Sequence, residues 1–183
     1  MPWVLADIAL HVGEMLSVPL PGSFTDGQMV HALDDAGIDT VLTDDRARAR
    51  TLLPGWRPDG TSPVSGLHRY RRQLDLALRA VAPAGTRKIT YTSGSTSSPK
   101  GVCLSGRALE AIAESVAGAT RGLAIERHLC ILPLATLLEN VAGLYAPLLR
   151  GATSVVPPGS ATGMSYGGLD TVRLLEAIAR EQP

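Results

Sequence analysis

The sequence predicts an α/β fold in which a parallel-rich sheet is flanked by helices. Three observations point that way. Short β-type runs, such as Thr40-Val41-Leu42-Thr43 and His128-Leu129-Cys130-Ile131-Leu132, alternate with segments of helical periodicity, the pattern of strand–helix–strand units. Of 183 residues, 45% are hydrophobic, which supports a sizeable core and argues against a chain disordered as a whole. A strand–loop–strand–helix order around residues 88–120 places a Ser/Gly-rich loop at a sheet edge.

The elements follow in chain order. Trp3 to Met15 sets Val4, Ile8, His11 or Val12, and Met15 at helical spacing, and Pro2 suits a first turn. Val18-Pro19-Leu20-Pro21 reads as extended, because each proline moves its predecessor out of the α region. Ser23 or Thr25 is a cap for a helix to about Ala36, stopped by Gly37, with Met29, Val30, Leu33 and Ala36 as its apolar stripe. Thr40 to Thr43 is a short strand, and Asp44 caps a helix carrying Arg46, Arg48 and Arg50. Residues 54–66, rich in Pro, Gly and Ser, read as loop, and 67–81 as a helix whose Arg69, Arg71, Arg72 and Arg79 make a solvated basic face. Strands at Lys88-Ile89-Thr90 and Val102-Cys103-Leu104 bracket the loop.

Beyond them, Ser105 caps a helix to about Thr120 with Leu109, Ile112, Ala113, Val116 and Ala117 inward. A strand over 128–132 ends at Pro133. Leu137 to Arg150 reads as a helix closed by Gly151 and bent or shortened by Pro147. Ala152 to Val156 is a strand, Pro157 to Gly168 a loop, and Asp170 or Thr171 caps a final helix.

Composition excludes several functions. Net charge is zero and only 4% of residues are aromatic, so neither a basic face nor stacking platforms for nucleic acid are expected. Cys103 and Cys130 are not in a C-x-x-C arrangement and read as reduced thiols, not as a disulfide or zinc site. No leader and no membrane-spanning run is evident, which predicts a cytoplasmic protein. His31 and Asp35, four apart on a helix, have a metal-compatible spacing but read as an ordinary helix-face pair, and no metal site is assigned.

The loop carries the chemistry. From Thr92 to Ser98 every residue except Gly94 bears a hydroxyl, and Pro99, Lys100 and Gly101 follow. Glycine admits close backbone approach, successive amides form an anion-binding nest, and lysine adds positive charge. The natural guest is a polyphosphate. The Walker A pattern fails, because Pro99 stands where its second glycine belongs. Ser97-Ser98-Pro99-Lys100 satisfies the S-x-x-K of serine acyl-enzymes, but neither S-D-N nor K-T-G accompanies it.

Tyr91-Thr92-Ser93-Gly94-Ser95-Thr96-Ser97-Ser98-Pro99-Lys100-Gly101-Val102 resembles the phosphate-binding loop of the acyl-adenylate-forming (AMP-binding) enzymes. Leu132 to Glu139 and Tyr145 to Ala152 are similar to the stretch that follows this loop in long-chain acyl-CoA synthetases, and Trp3 to Leu20 resembles an earlier part. The resemblance implies that residues 1–183 are part of the large N-terminal domain, with the C-terminal catalytic domain absent. It implies ATP-dependent activation of a carboxylic acid, a fatty acid by closest similarity, to acyl-adenylate, then thioester formation on coenzyme A or a carrier-protein thiol. ATP, Mg2+ and coenzyme A are the implied cofactors. By matched position Thr92, Ser93, Gly94, Ser95, Thr96, Ser97, Lys100 and Gly101 hold the nucleotide phosphates, with Thr96 in direct hydroxyl contact. Lys100 is the catalytic candidate, compensating charge on the leaving pyrophosphate.

Two departures stand out. Ser97 replaces a usual glycine, and Thr136, the substrate-binding candidate, replaces a common histidine. The Y-G-x-T-E segment whose glutamate holds Mg2+ does not occur; Tyr166-Gly167-Gly168-Leu169-Asp170 is nearest to it. The chain alone is therefore expected to be inactive and to self-associate through an exposed sheet edge. The alternatives are a non-catalytic interaction module and a serine acyl-enzyme built on Ser97 and Lys100.

Overall fold

A computed structural model describes the chain except Met1, Pro63, residues 75–81, residues 93–97 and Tyr166. The described residues form two compact units, Met1–Leu104 and Ser105–Pro183. In the first unit the order is α1 (Pro2–Val12), α2 (Asp26–Asp35), β1 (Thr40–Thr43), α3 (Arg46–Leu52), β2 (Arg57–Thr61), β3 (His68–Arg71), β4 (Thr86–Thr92) and β5 (Lys100–Ser105). In the second it is α4 (Gly106–Ala119), β6 (Arg127–Leu129), a π-helical turn (Glu139–Tyr145), α5 (Ala146–Leu149), β7 (Thr153–Val155), α6 (Gly159–Thr162), β8 (Met164–Ser165), β9 (Gly168–Leu169) and α7 (Thr171–Glu181).

Helix α2 organises the first unit. Thr25 and Gln28 form a reciprocal capping box at its start, and Gly37 (φ 58) ends it in the left-handed region. Its Met29, Ala32 and Ala36 pack with Phe24, Ile89 and Tyr91. Its Leu33 packs with Ala49, Leu53 and Tyr70. Ala32 is fully buried, whereas Val30, expected in the apolar stripe, is 39% exposed.

The mixed α/β class stands, and the expectation of parallel pairing is met in part. β6 and β7 pair in parallel, and Ser17 makes a parallel bridge to Lys88, its carbonyl accepting from the Ile89 amide. β1 pairs with β3 and β3 with β2, both antiparallel. β4 and β5 form a pair, as do β8 and β9.

Residues 54–66 and 67–81 depart from expectation, since β2 lies inside the first and β3 inside the second. The reason is a period-two pattern among charged residues. In β3, Tyr70 turns into the core while Arg69 and Arg71 turn away to share the Asp59 carboxylate of β2. Arg72 is an anchor and no part of a solvated face. It pairs with Asp34, donates to the Leu33 and Ile38 carbonyls, and lies over the Trp56 ring at 4.6 Å. Arg79 and the rest of the helix expected over 67–81, residues 75–81, lie outside the described residues. Asp45 caps α3 in place of Asp44.

A buried ion pair ties α1 to β4. Lys88 Nζ lies 2.8 Å from Asp7 Oδ1, and both side chains are almost wholly buried. Burial lowers the Lys88 pKa below its ordinary value, and the charge and hydrogen bond of Asp7 offset that in part.

In the second unit Ser105 caps α4 and Asp170 caps α7, as predicted. The expected helix over 137–150 is not regular. Glu139–Tyr145 is wound as a π-helix and the α-form resumes at Ala146. Pro147 has no amide to give the Gly143 carbonyl four residues earlier. The Cys130 thiol donates to that carbonyl, at 3.3 Å. Residues 157–168, expected as loop, hold α6, β8 and the first residue of β9. Among the described residues no helix is long and apolar enough to cross a membrane.

Candidate functional site

The loop predicted to bind phosphates joins β4 to β5. Thr92 is exposed at the last position of β4, Ser98 is exposed, and Lys100 is exposed at the first position of β5. Ser93, Gly94, Ser95, Thr96 and Ser97 lie outside the described residues, and with them the serine of the S-x-x-K reading. The structure does define how the flanks are held.

Tyr91, the residue before Thr92, is buried, and its hydroxyl donates to Asp35 Oδ2 at 2.6 Å. Pro99, the residue before Lys100, is also buried. Its carbonyl lies 3.1 Å from His31 Nε2, which must carry a proton to bond a carbonyl. His31 and Asp35 are one helical turn apart, so α2 presents both on one face. One helix therefore grips both ends of the loop. By spacing alone the two are an ordinary helix-face pair; their partners lie 68 and 56 positions away in the chain. Burial and then Asp35 raise the Tyr91 phenol above its usual value, so it remains a donor at neutral pH.

Gly101 owes its identity to space. A Cβ there would sit 2.9 Å from Ile89 Cγ2 and 3.1 Å from Tyr91 Cζ. Here β5 passes close over two side chains of β4. Chemically, the flanks offer exposed hydroxyls and one ammonium on a two-strand base, which suits an anion.

The second unit places Thr136 in an exposed turn. Its amide donates to the Pro133 carbonyl and its own carbonyl accepts from Asn140, so it opens the π-helical segment. Nearby in sequence, His128 Nε2 donates to Glu139 Oε1 at 3.4 Å, and the Leu132 amide donates to Glu139 Oε2 at 3.4 Å. Burial opposes ionisation of Glu139, yet the hydrogen bonds from His128, Cys130 and Leu132 hold its carboxyl below the ordinary value. Burial, then the Glu139 charge and hydrogen bond, push the Cys130 thiol up to about 12. Sequence reasoning missed this group. The signal was the i, i+2 spacing of His128 and Cys130 on a strand, which puts both on one face.

The fold and the loop place the chain in a class: it belongs to the AMP-binding enzyme family, which it matches over residues 1–183. Among particular relatives, it is 32% identical over 174 residues to 3-[(3aS,4S,7aS)-7a-methyl-1,5-dioxo-octahydro-1H-inden-4-yl]propanoyl:CoA ligase of Mycobacterium tuberculosis, covering 84% of this chain and 34% of that ligase. The chain thus spans about a third of the length of that curated relative. Among solved structures it resembles a malonyl-CoA ligase in ternary product complex with methylmalonyl-CoA and AMP, at TM-score 0.59 and 25% identity over 99% of this chain and 35% of that one. It also resembles the amide bond synthetase McbA of Marinactinospora thermotolerans, at TM-score 0.63 and 22% identity over 98% of this chain and 36% of that one. The latter likeness is one of fold.

Proposed function

We propose that residues 1–183 supply the ATP-phosphate-binding part of the large N-terminal domain of an adenylate-forming ligase that joins a carboxylic acid to coenzyme A. Family membership supports the nucleotide. The mycobacterial relative is named as a CoA ligase of a propanoyl group that carries a bicyclic ring system, which supports a carboxylic acid as substrate and CoA rather than a carrier protein as acceptor; a fatty acid is the reading carried from the sequence. The observation that carries the reading is the double grip of α2 on the loop, through Tyr91–Asp35 and His31–Pro99.

In this reading the amides and hydroxyls of Thr92, Ser93, Gly94, Ser95, Thr96 and Ser97, with the Gly101 backbone, hold the β- and γ-phosphates. Thr96 makes the direct hydroxyl contact. The substrate carboxylate attacks the α-phosphorus, the bond to the β-phosphate bridging oxygen breaks, and Lys100 balances charge on the departing pyrophosphate. The CoA thiol then takes the acyl group and AMP leaves. Thr136 lines the acyl site, where it offers a hydroxyl and no charge. The nearest match to the metal-binding segment does not fit Mg2+. Oδ1 of Asp170 accepts the Val172 and Arg173 amides and Oδ2 pairs with Arg173, so no step is assigned to the metal here.

The test is carboxylate-dependent pyrophosphate exchange by the full-length protein. Exchange with a fatty or propanoyl-bearing acid, falling at least tenfold in Lys100→Ala, is expected. No exchange across straight-chain, aryl and bicyclic acids overturns the reading. Titrating the 183-residue chain with ATP separates the alternative, since an interaction module shows no saturable binding. The chain by itself is expected to bind without turnover.

A further inference from the structure

Among the described residues, one group of three metal-ligating side chains converges: His128, Cys130 and Glu139, whose ligand atoms all lie within 4.8 Å of one another. The chain path explains the convergence. The Cys130 amide donates to the Val155 carbonyl and so extends the β6–β7 ladder, leaving residues 128 and 130 on one face of extended backbone. Glu139 begins the π-helical turn that packs there. Single π-turns inside helices often mark functional positions. At Gly143 a Cβ would lie 2.4 Å from Glu139 Oε1 and 2.9 Å from His128 Nε2. Only glycine leaves these donors their room.

We propose that His128 Nε2, Cys130 Sγ and a Glu139 carboxylate oxygen form a site for one zinc-class divalent cation, with the fourth tetrahedral position open to water. The donor set selects the ion. Thiolate with imidazole suits Zn2+ and is unsuited to Mg2+ or Ca2+, which take oxygen ligands. The geometry is near what such an ion requires. Bonds of about 2.0–2.3 Å to a tetrahedral centre set ligand–ligand separations of roughly 3.3–3.7 Å, and Nε2 and Oε1 are 3.4 Å apart. Entry is along the imidazole, since the His128 side chain is 34% exposed and that of Glu139 10%. On binding, Zn–N, Zn–S and Zn–O bonds form, the thiol proton leaves to solvent, the imidazole gives up its Nε2 proton and keeps one on Nδ1, the His128–Glu139 hydrogen bond is replaced by the two metal bonds, and Cys130 releases the Gly143 carbonyl. The ion pins the π-helical turn to β6 and steadies the intervening segment that carries Thr136. This site does not depend on the ATP reading.

The experiment uses the untagged chain with Cys103→Ser, so that any metal–thiolate signal reports Cys130. Co2+ is the spectroscopic probe and Zn2+ the competitor. A thiolate-to-cobalt charge-transfer band, displaced by one equivalent of Zn2+, is expected. The band should vanish in Cys130→Ser, and Zn2+ affinity should fall at least tenfold in His128→Gln. Circular dichroism checks the fold, and where Cys130→Ser does not fold, the partly exposed His128→Gln decides. Absence of the band, or Zn2+ affinity unchanged in His128→Gln, overturns the proposal. Pyrophosphate exchange is not read, so failure of this site and failure of the ligase reading are separate results.

Discussion

Lys88 shows how strongly one residue can depend on a distant one. It stands third in β4 with its ammonium on Asp7 of α1, 81 positions away. Removing one member of such a pair strands the other's charge, so Lys88→Met or Asp7→Leu alone should cost about 3–5 kcal/mol in denaturant unfolding. The double variant should recover most of that loss. The pH dependence has a definite sign. Because Lys88 is lowered from 10.5 in the folded state, the unfolded chain binds more protons in the window below that value. Its contribution to stability therefore rises with pH through that window, and the double variant should lose this rise in unfolding titrations. The two thiols differ as sharply. Cys103 is exposed, and Cys130 is buried with its thiol pushed up to about 12. Disulfide reagents at mildly alkaline pH should modify Cys103 quickly and Cys130 only on unfolding, read as a biphasic thiol release.

At the level of elements, local signals explain the caps and long-range ones explain the exceptions. Thr25, Ser105 and Asp170 each accept from backbone amides two or three positions on, a purely local arrangement that sequence displays. β2 and β3 were hidden because their pattern is arginine and aspartate alternating with aromatic and proline, and it acquires meaning only when Asp59 faces Arg69 and Arg71. The π-turn was half legible: Pro147 announced a defect, but the thiol that satisfies Gly143 comes from a strand. Two predictions belong here. Gly101→Ala forces a methyl onto Ile89 and Tyr91 and should destabilise the chain by about 1–3 kcal/mol in thermal unfolding. His31→Ala and Tyr91→Phe each remove one hydrogen bond from the loop's base, and each should weaken ATP binding about two- to tenfold with the fold retained.

On the scale of the whole molecule, the described surface carries an unmatched apolar stripe. Val172 and Leu175 on α7 are about two-thirds exposed, and Leu169 and Ile178 lie close by in sequence and are also exposed. Such a face favours association. The 183-residue chain should run above monomer mass in light scattering, and Val172→Glu with Leu175→Glu should return it toward monomer. The fold class, the capped helices and the family were readable from the sequence alone, because each rests on neighbours within a few residues: hydrophobic period, a cap and its amide, an ordered run of residue types. What only the tertiary structure decided was the set of partners. His31 and Asp35 became the base of the loop, Arg72 became an anchor, and His128, Cys130 and Glu139 became one cluster. Their bonds join residues separated by between nine and 68 positions, and chain spacing says nothing about which distant groups a packed interior will bring within three ångströms or so.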